Sequence, residues 1–465
     1  MRISSLNLIP SVGQRKNVSI KSRRIFLLIF ITFLLSTSFI YAQQSEEKLS
    51  LHQAVAMAFA SDNNLMATEA YLRASEYDIR QAKSAYLPRL DLNGSYSHWS
   101  KVNEFTISAG TMGIQQHIKT VADNPANIKL GLSYDLYTFG RRPGSVAIAR
   151  AENQLSSLRY RNVKKDLFDT VARTYFAVVF ASESLRMLQK EKNRFEHIYQ
   201  IVKNRFQQEL ISEFDLLQTQ FRLEIYKKTV LEMSNTLEMA RLNLAKLLGT
   251  SIDMLPTLSD SLDSGLLIVP SFENWDEIYP RREDYLKAIT SAQKAKSAKK
   301  IIKSAYFPSV RVFTSYDWRN GYQPDVNDIL GNFTVGINFN WLLFDGFTRR
   351  ANMSKQNYLI KALNRTVDDI KLSIPFQIKT LQLSLENDSL RIDIQKQALS
   401  LAQRAMAIAQ KKYDIGDLTM IELLEAENQL SQAELELLKL RYKYILTQLD
   451  FKKVSGIYPE IGDIN

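Results

Sequence analysis

The chain contains itself twice. "YLPRLDLNGSY" at 86–96 returns as "YFPSVRVFTSY" at 306–316, 220 residues further on. "LYTFGRR" at 136–142 returns as "LFDGFTRR" at 343–350. "RFQQELISEFDLLQTQ" at 205–220 returns as "KYDIGDLTMIELLEAE" at 412–427, now 207 residues on, so the first copy carries 13 extra residues between about 100 and 127. A duplication is the simplest account of these matches.

Each copy holds two stretches of period two. Leu90, Leu92, Gly94 and Tyr96 alternate with Asp91, Asn93 and Ser95. Ile128, Leu130, Leu132, Tyr134 and Leu136 alternate with Lys129, Gly131, Ser133 and Asp135. In the second copy Val310, Val312, Thr314, Tyr316 and Trp318 form one face, and Phe333, Val335, Ile337, Phe339 and Trp341 another. Each run is about ten residues, the length at which a tilted strand crosses a bilayer. Tyr96, Trp99, Tyr134, Tyr137, Trp318 and Trp341 lie near the strand ends, as in an interfacial aromatic girdle. A soluble sheet with one buried face alternates equally well. The lipid reading is favoured because the remainder is long helix, whose apolar stripes are expected to be committed to one another. Four strands do not close a barrel and no strand edge is tolerated in lipid, so several chains must share one cylinder. Three chains give twelve strands.

The helical runs are far longer than globular norms. Leu216, Leu223, Val230, Leu237 and Leu244 recur every seven residues. Ile421, Leu424, Asn428, Ser431, Leu435, Leu438, Tyr442, Ile445 and Leu449 step by three and four. Both read as coiled-coil seams, the second interrupted by Asn428 and Ser431. The stretch 145–205 lacks Pro and Gly, and its counterpart 351–413 contains Pro375, expected to kink it or mark a change of packing. Pro88 and Pro308 mark the two helix-to-strand junctions.

The first 42 residues differ from the rest. Arg15, Lys16, Lys21, Arg23 and Arg24 precede an apolar run from Ile25 to Leu35, too short to span comfortably, and Ala42 offers a cleavage position. Removing this segment lowers the formal net charge from +11 to +5, a mild surplus that does not suggest a nucleic-acid surface. The expected organisation is a signal peptide (1–42), a first repeat (43–249), an inter-repeat segment (250–280), a second repeat (281–453) and a tail (454–465). No Cys is present, and His52, His98, His117 and His197 lack metal-ligand spacing. Ser291-x-x-Lys294, Ser297-x-x-Lys300 and Ser61-Asp62-Asn63 are in the wrong order for a penicillin-recognising enzyme, and no K-T-G follows. Neither an enzyme nor a bound cofactor is expected.

Together these features resemble the TolC-type outer-membrane efflux protein family. The resemblance runs from about residue 49 to 456 and rests on "LSLHQAVAMAFASDNNLMATEA", the helix-Pro-strand junctions, the paired "LYTFGRR" and "LFDGFTRR", the two hairpin tips and "MARLNLAKLLG" at 239–249. It implies an α+β membrane protein: a homotrimer with a shared twelve-stranded outer-membrane barrel continued by a periplasmic helical barrel. It further implies an exit duct served by an inner-membrane transporter through a periplasmic adaptor, or alternatively an outlet for secreted polypeptide. A pore-free secreted coiled-coil scaffold is the alternative from another class. By the same resemblance Glu422 and Glu425, on one face of the last hairpin, map to acids lining the periplasmic aperture. Tyr413 and Asp215 map to a closed-state link whose arginine position holds Leu418 here. The turns at Leu210 and Gly416 map to adaptor contacts.

Overall fold

The computed structural model describes residues 48–109, 114–263, 275–323 and 325–457. The expected signal peptide and the last eight residues lie outside them. Ser50 caps the short helix α1 (Leu51–Ser61), its hydroxyl and Gln53 exchanging hydrogen bonds in a capping box, and Asp62 caps α2 (Asn63–Ser84). Strands β1 (Arg89–Tyr96), β2 (Glu104–Ala109), β3 (Ile114–Lys119) and β4 (Ala126–Tyr137) follow. Two long helices come next, α3 (Arg141–Gln207) and α4 (Glu213–Leu248). The second copy is α5 (Glu283–Ser304), β5 (Ser309–Arg319), β6 (Leu330–Asn340), α6 (Thr348–Asp414) and α7 (Met420–Ser455). Helices α2 and α5 have 22 residues each, α3 and α6 have 67 each, and α4 and α7 have 36 each. The extra residues of the first copy build the separate β2–β3 hairpin, which sequence patterning had left without structure.

The main sheet is antiparallel, in the order β1-β4-β5-β6, so the two copies join through β4 and β5. Its register puts Leu92, Leu130, Tyr316 and Phe333 in one row and Asn93, Lys129, Asp317 and Asn332 in the next. One face is therefore apolar and the other polar. On the outer strand the apolar face is bare, with Phe333, Val335, Ile337 and Phe339 between 62% and 73% exposed. Among the described residues no helix covers it, and the outer edges of β1 and β6 are unpaired in the single chain.

Pro88 and Pro308 each end a four-residue link and precede the first strand residue. Where strand returns to helix, each copy uses two successive left-handed residues in mirrored order: Phe139 (φ 48°) with Gly140 (φ 94°), then Gly346 (φ 63°) with Phe347 (φ 66°). The second arginine of the first copy, Arg142, lies over Tyr86 and Tyr134 at 5.4 and 4.9 Å. Arg349 does the same over Tyr306 at 5.1 Å and donates to Ala305 O and Leu343 O. These arginines tie the helix start to the strand entry, the physical content of the repeated "RR".

Helices α3 and α6 are continuous, each about 100 Å long at 1.5 Å per residue. Pro375 lies inside α6, where it deprives Lys371 O of its helical donor. Tyr279 Oη replaces that donor at 3.4 Å, while Ile278, Ile374 and Ile378 around it are fully buried. Pro375 thus marks the packing change at which the inter-repeat segment docks on the helix. Tyr279→Phe should leave that carbonyl bare and destabilise the protein by about 1 kcal/mol, read as a fall in the thermal midpoint.

In a separate core cluster, Tyr175 is fully buried and its hydroxyl lies within hydrogen-bond reach of two acceptors, Leu49 O (2.8 Å) and Asp260 Oδ2 (2.6 Å), pinning Leu49 and its bridge partner Leu258 against α3. Burial, then the Asp260 contact, pushes its phenol up to about 12, so it stays a donor across ordinary pH.

Two expectations about the helices need correction. Ile421, placed in the second seam, is 58% exposed; Leu424, Ile445 and Leu449 of that seam are buried, and the buried line of α7 also takes in Leu423, Glu427, Leu430 and Leu437. The helical stripes are also not all committed within the chain. Phe376, Leu383, Leu390, Ile394, Leu401, Ile408 and Ile415 recur at four or seven residues along α6 and its C-cap and remain 53–79% exposed. A heptad line of this kind is a seam waiting for another helix.

Candidate functional site at the hairpin tips

The two hairpin turns use the same local chemistry. α3 gives way to α4 through Glu209, held at φ 57°; its repeat equivalent, Gly416, sits at φ 84° between α6 and α7. Glycine takes this conformation without cost, whereas a glutamate there is strained. Ser212 caps α4 by accepting from Asp215 N, and Thr419 caps α7 by accepting from Glu422 N. Asp215 Oδ2 accepts from Ser212 Oγ at 2.7 Å. Glu422 Oε2 accepts from Thr419 N (2.9 Å) and Thr419 Oγ1 (2.7 Å), completing a capping box. These donors, side chain first, hold the Glu422 carboxyl below the usual carboxylate range. It is therefore ionised at neutral pH, and its capping contribution is lost only as pH falls through that depressed value. The T-x-x-E spelling was visible in the sequence and went unread.

Glu422 and Glu425 are both exposed at the start of α7, and Glu425 accepts from Gln429 Nε2 at 3.0 Å. The repeat equivalent of Glu425 is Gln218, so only the second tip pairs its capping acid with another acid three residues on. Leu210 is 67% exposed at the first turn and Ile415 79% exposed beside Gly416, so both turns present apolar side chains to solvent.

Tyr413 and Asp215 make no hydrogen bond to each other among the described residues: Asp215 is engaged by its own cap, and the buried Tyr413 hydroxyl has no partner. An arginine does reach Tyr413, from α3. Arg205 lies 4.7 Å above the Tyr413 ring and donates to Tyr413 O (3.2 Å) and Asp414 O (2.9 Å), the last carbonyls of α6. A cation on these carbonyls suits the helix dipole and cross-ties the two hairpins within one chain. Burial raises the Tyr413 phenol, with Arg205 opposing.

A four-stranded, lipid-length open sheet standing on helices of this length defines the protomer of an oligomeric membrane channel. The outer membrane efflux protein family model matches residues 54–250 and 276–456, and the chain belongs to that family. TolC of Vibrio cholerae serotype O1 is 21% identical over 87% of this chain and 90% of its own length. The alkaline protease secretion protein AprF of Pseudomonas aeruginosa is 20% identical over 94% and 90%. The crystal structure of the channel CusC superposes with a TM-score of 0.76 at 17% identity, covering 87% of this chain and 91% of that one. The protein is accordingly an outer-membrane efflux channel reaching into the periplasm, and not an enzyme. Family members form trimeric channels that work with inner-membrane pumps and adaptors.

Proposed function

We propose that three copies of this chain close a twelve-stranded barrel and a helical tunnel. This tunnel passively releases small molecules that an inner-membrane transporter delivers through a periplasmic adaptor. The observation that carries the reading is the pair of unpaired edges, β1 and β6, on a sheet whose apolar face is bare. Each edge needs a neighbour, and lipid suits the face. The exposed heptad line of α6 supports the same assembly. Burying seven such side chains between protomers contributes on the order of 10 kcal/mol per interface before ordering costs.

In this trimer the hairpin tips form the inner mouth, where Glu422 and Glu425 of three chains bring six carboxylates together. The turns at Leu210 and Gly416 offer exposed apolar contacts to the adaptor. The Tyr413 hydroxyl is buried without a partner here, so a link from it to Asp215 belongs to a rearranged tip. Arg205→Ala should release α6 from α3 and raise single-channel conductance about twofold or more at unchanged trimer yield.

Similarity to AprF favours a second reading, an outlet for secreted polypeptide. Deleting the gene and assaying both dye sensitivity and secreted protein separates the two. Dye sensitivity with normal secretion supports small-molecule efflux, and the reverse supports secretion. A channel-free result in planar bilayers would reject both in favour of a scaffold.

A further inference from the structure

Glu191 on α3 and Glu427 on α7 are each 1% exposed, yet they share one cation. Arg194 Nη2 donates to Glu191 Oε1 and to Glu427 Oε1, both at 2.7 Å, and Arg194 Nε donates to Glu427 Oε1 at 3.1 Å. The second oxygen of each carboxylate, Oε2, is buried without a hydrogen-bond partner. The surrounding elements are accounted for. α7 adds Glu434 and Ser431, and α4 faces the pair with Arg222 and Tyr226. α6 meets this stretch with Gln395, whose Nε2 donates to Ala433 O, and with apolar Leu399.

With Glu191, Glu427 and Glu434 ionised against Arg194 and Arg222, the group carries one net negative charge in a water-poor seam. Leaving a charge uncompensated there is costly, and a carboxylate escapes it by taking up a proton. One proton neutralises the group. The two orphaned Oε2 atoms are where it can sit.

α3 belongs to the first hairpin and α7 to the second, so this cluster joins them about a dozen residues above the Arg205–Tyr413 contact. We propose that Glu191, Arg194 and Glu427 form a proton-controlled clasp. Holding one proton, it keeps the two hairpins packed; losing that proton to bulk water, it loosens them and widens the tip. The inference rests on the reading of the tips as the inner mouth.

The titration agrees in direction. Burial, opposed by Arg194, pushes Glu191 up to about 7 from an ordinary 4.5, and burial also raises Glu427. The packed form thus binds more protons than a separated form with solvated carboxylates. Its advantage is full at acid pH and is lost as pH rises from 4.5 to about 7. The open-to-closed ratio grows by at most about tenfold per pH unit across that window.

The test is planar-bilayer conductance of the purified full-length protein, with the periplasmic side titrated from pH 5 to 8.5. Wild type should show a conductance step of about twofold or more centred between pH 5.5 and 7. Glu427→Gln and Glu191→Gln, made separately, should each flatten that step, while Glu232→Gln, an exposed acid on α4, should leave it in place. Heat-dependent migration on gels checks that each variant assembles; should one fail to assemble, the other carries the comparison. A wild-type channel with no step, or a step that survives both buried substitutions, overturns the clasp. An absence of channels at every pH overturns the channel reading instead.

Discussion

Glu422→Gln combined with Glu425→Gln should lower the cation-over-anion preference of the channel about twenty- to thirtyfold while leaving the fold intact. At ~10 Å from the axis each carboxylate contributes ~0.4 kcal/mol to a passing unit charge at water's dielectric, so six contribute ~2.5 kcal/mol. A Debye length of about 10 Å in ~0.1 M salt removes more than half of that, leaving ~1 kcal/mol in favour of a cation and as much against an anion, a difference of ~2 kcal/mol. Glutamine is the informative replacement at Glu422. The carboxylate also accepts from Thr419 N and Oγ1, and Gln serves as well as Glu at that position of a capping box. Alanine would remove charge and cap together. Reversal potentials under a salt gradient measure the effect, and an unchanged preference in the double Gln variant would reject the ring.

Val335→Arg should abolish assembly. Val335 is 73% exposed in the single chain and lies mid-strand in β6, where the barrel reading puts it against lipid. A lipid-facing arginine near the midplane costs about 2–4 kcal/mol per copy, hence ~6–12 kcal/mol for a trimer. Thr334→Arg, one residue away, turns to the polar face opposite Ser315 and should be tolerated. The yield of heat-modifiable trimer extracted from outer membranes reads both. Equal tolerance of the two would mean that the apolar face does not meet lipid.

Much of this fold was legible because its signals are periodic and occur twice. Alternation put Leu92 and Phe333 on one face, and the offsets of 220 and 207 residues recur in the matched bounds of the helices. Pro375 was read correctly as a packing change, although its satisfied carbonyl depended on Tyr279, distant in sequence. Three things were not legible. The β2–β3 hairpin has no counterpart in the second copy to reveal it. The exposed line on α6 runs through a helix whose other side is buried, so periodicity alone did not separate a stripe for its own chain from one for a neighbour. At the tips, Leu418 suggested a link weakened or replaced, and the contact of Arg205 with Tyr413 from another helix had no signal in the sequence. Glu427 hid in plain view. It lies three residues from both Leu424 and Leu430 on the buried line, and that spacing was the available signal.

The lack of cysteine allows a direct measurement of whether neighbouring copies complete the cylinder. Single cysteines placed at Asp91 or Asn93 on β1 can be combined with cysteines at Asn332 or Thr334 on β6 and oxidised in outer membranes. Within one chain these strands stand three spacings apart, roughly 14 Å, beyond the reach of a disulfide. The outcome expected is a ladder of two and three chains, ending at three, with at least one pair crosslinking efficiently. Crosslinks confined to single chains, or a monomer whose sheet edges never meet another copy, would contradict it.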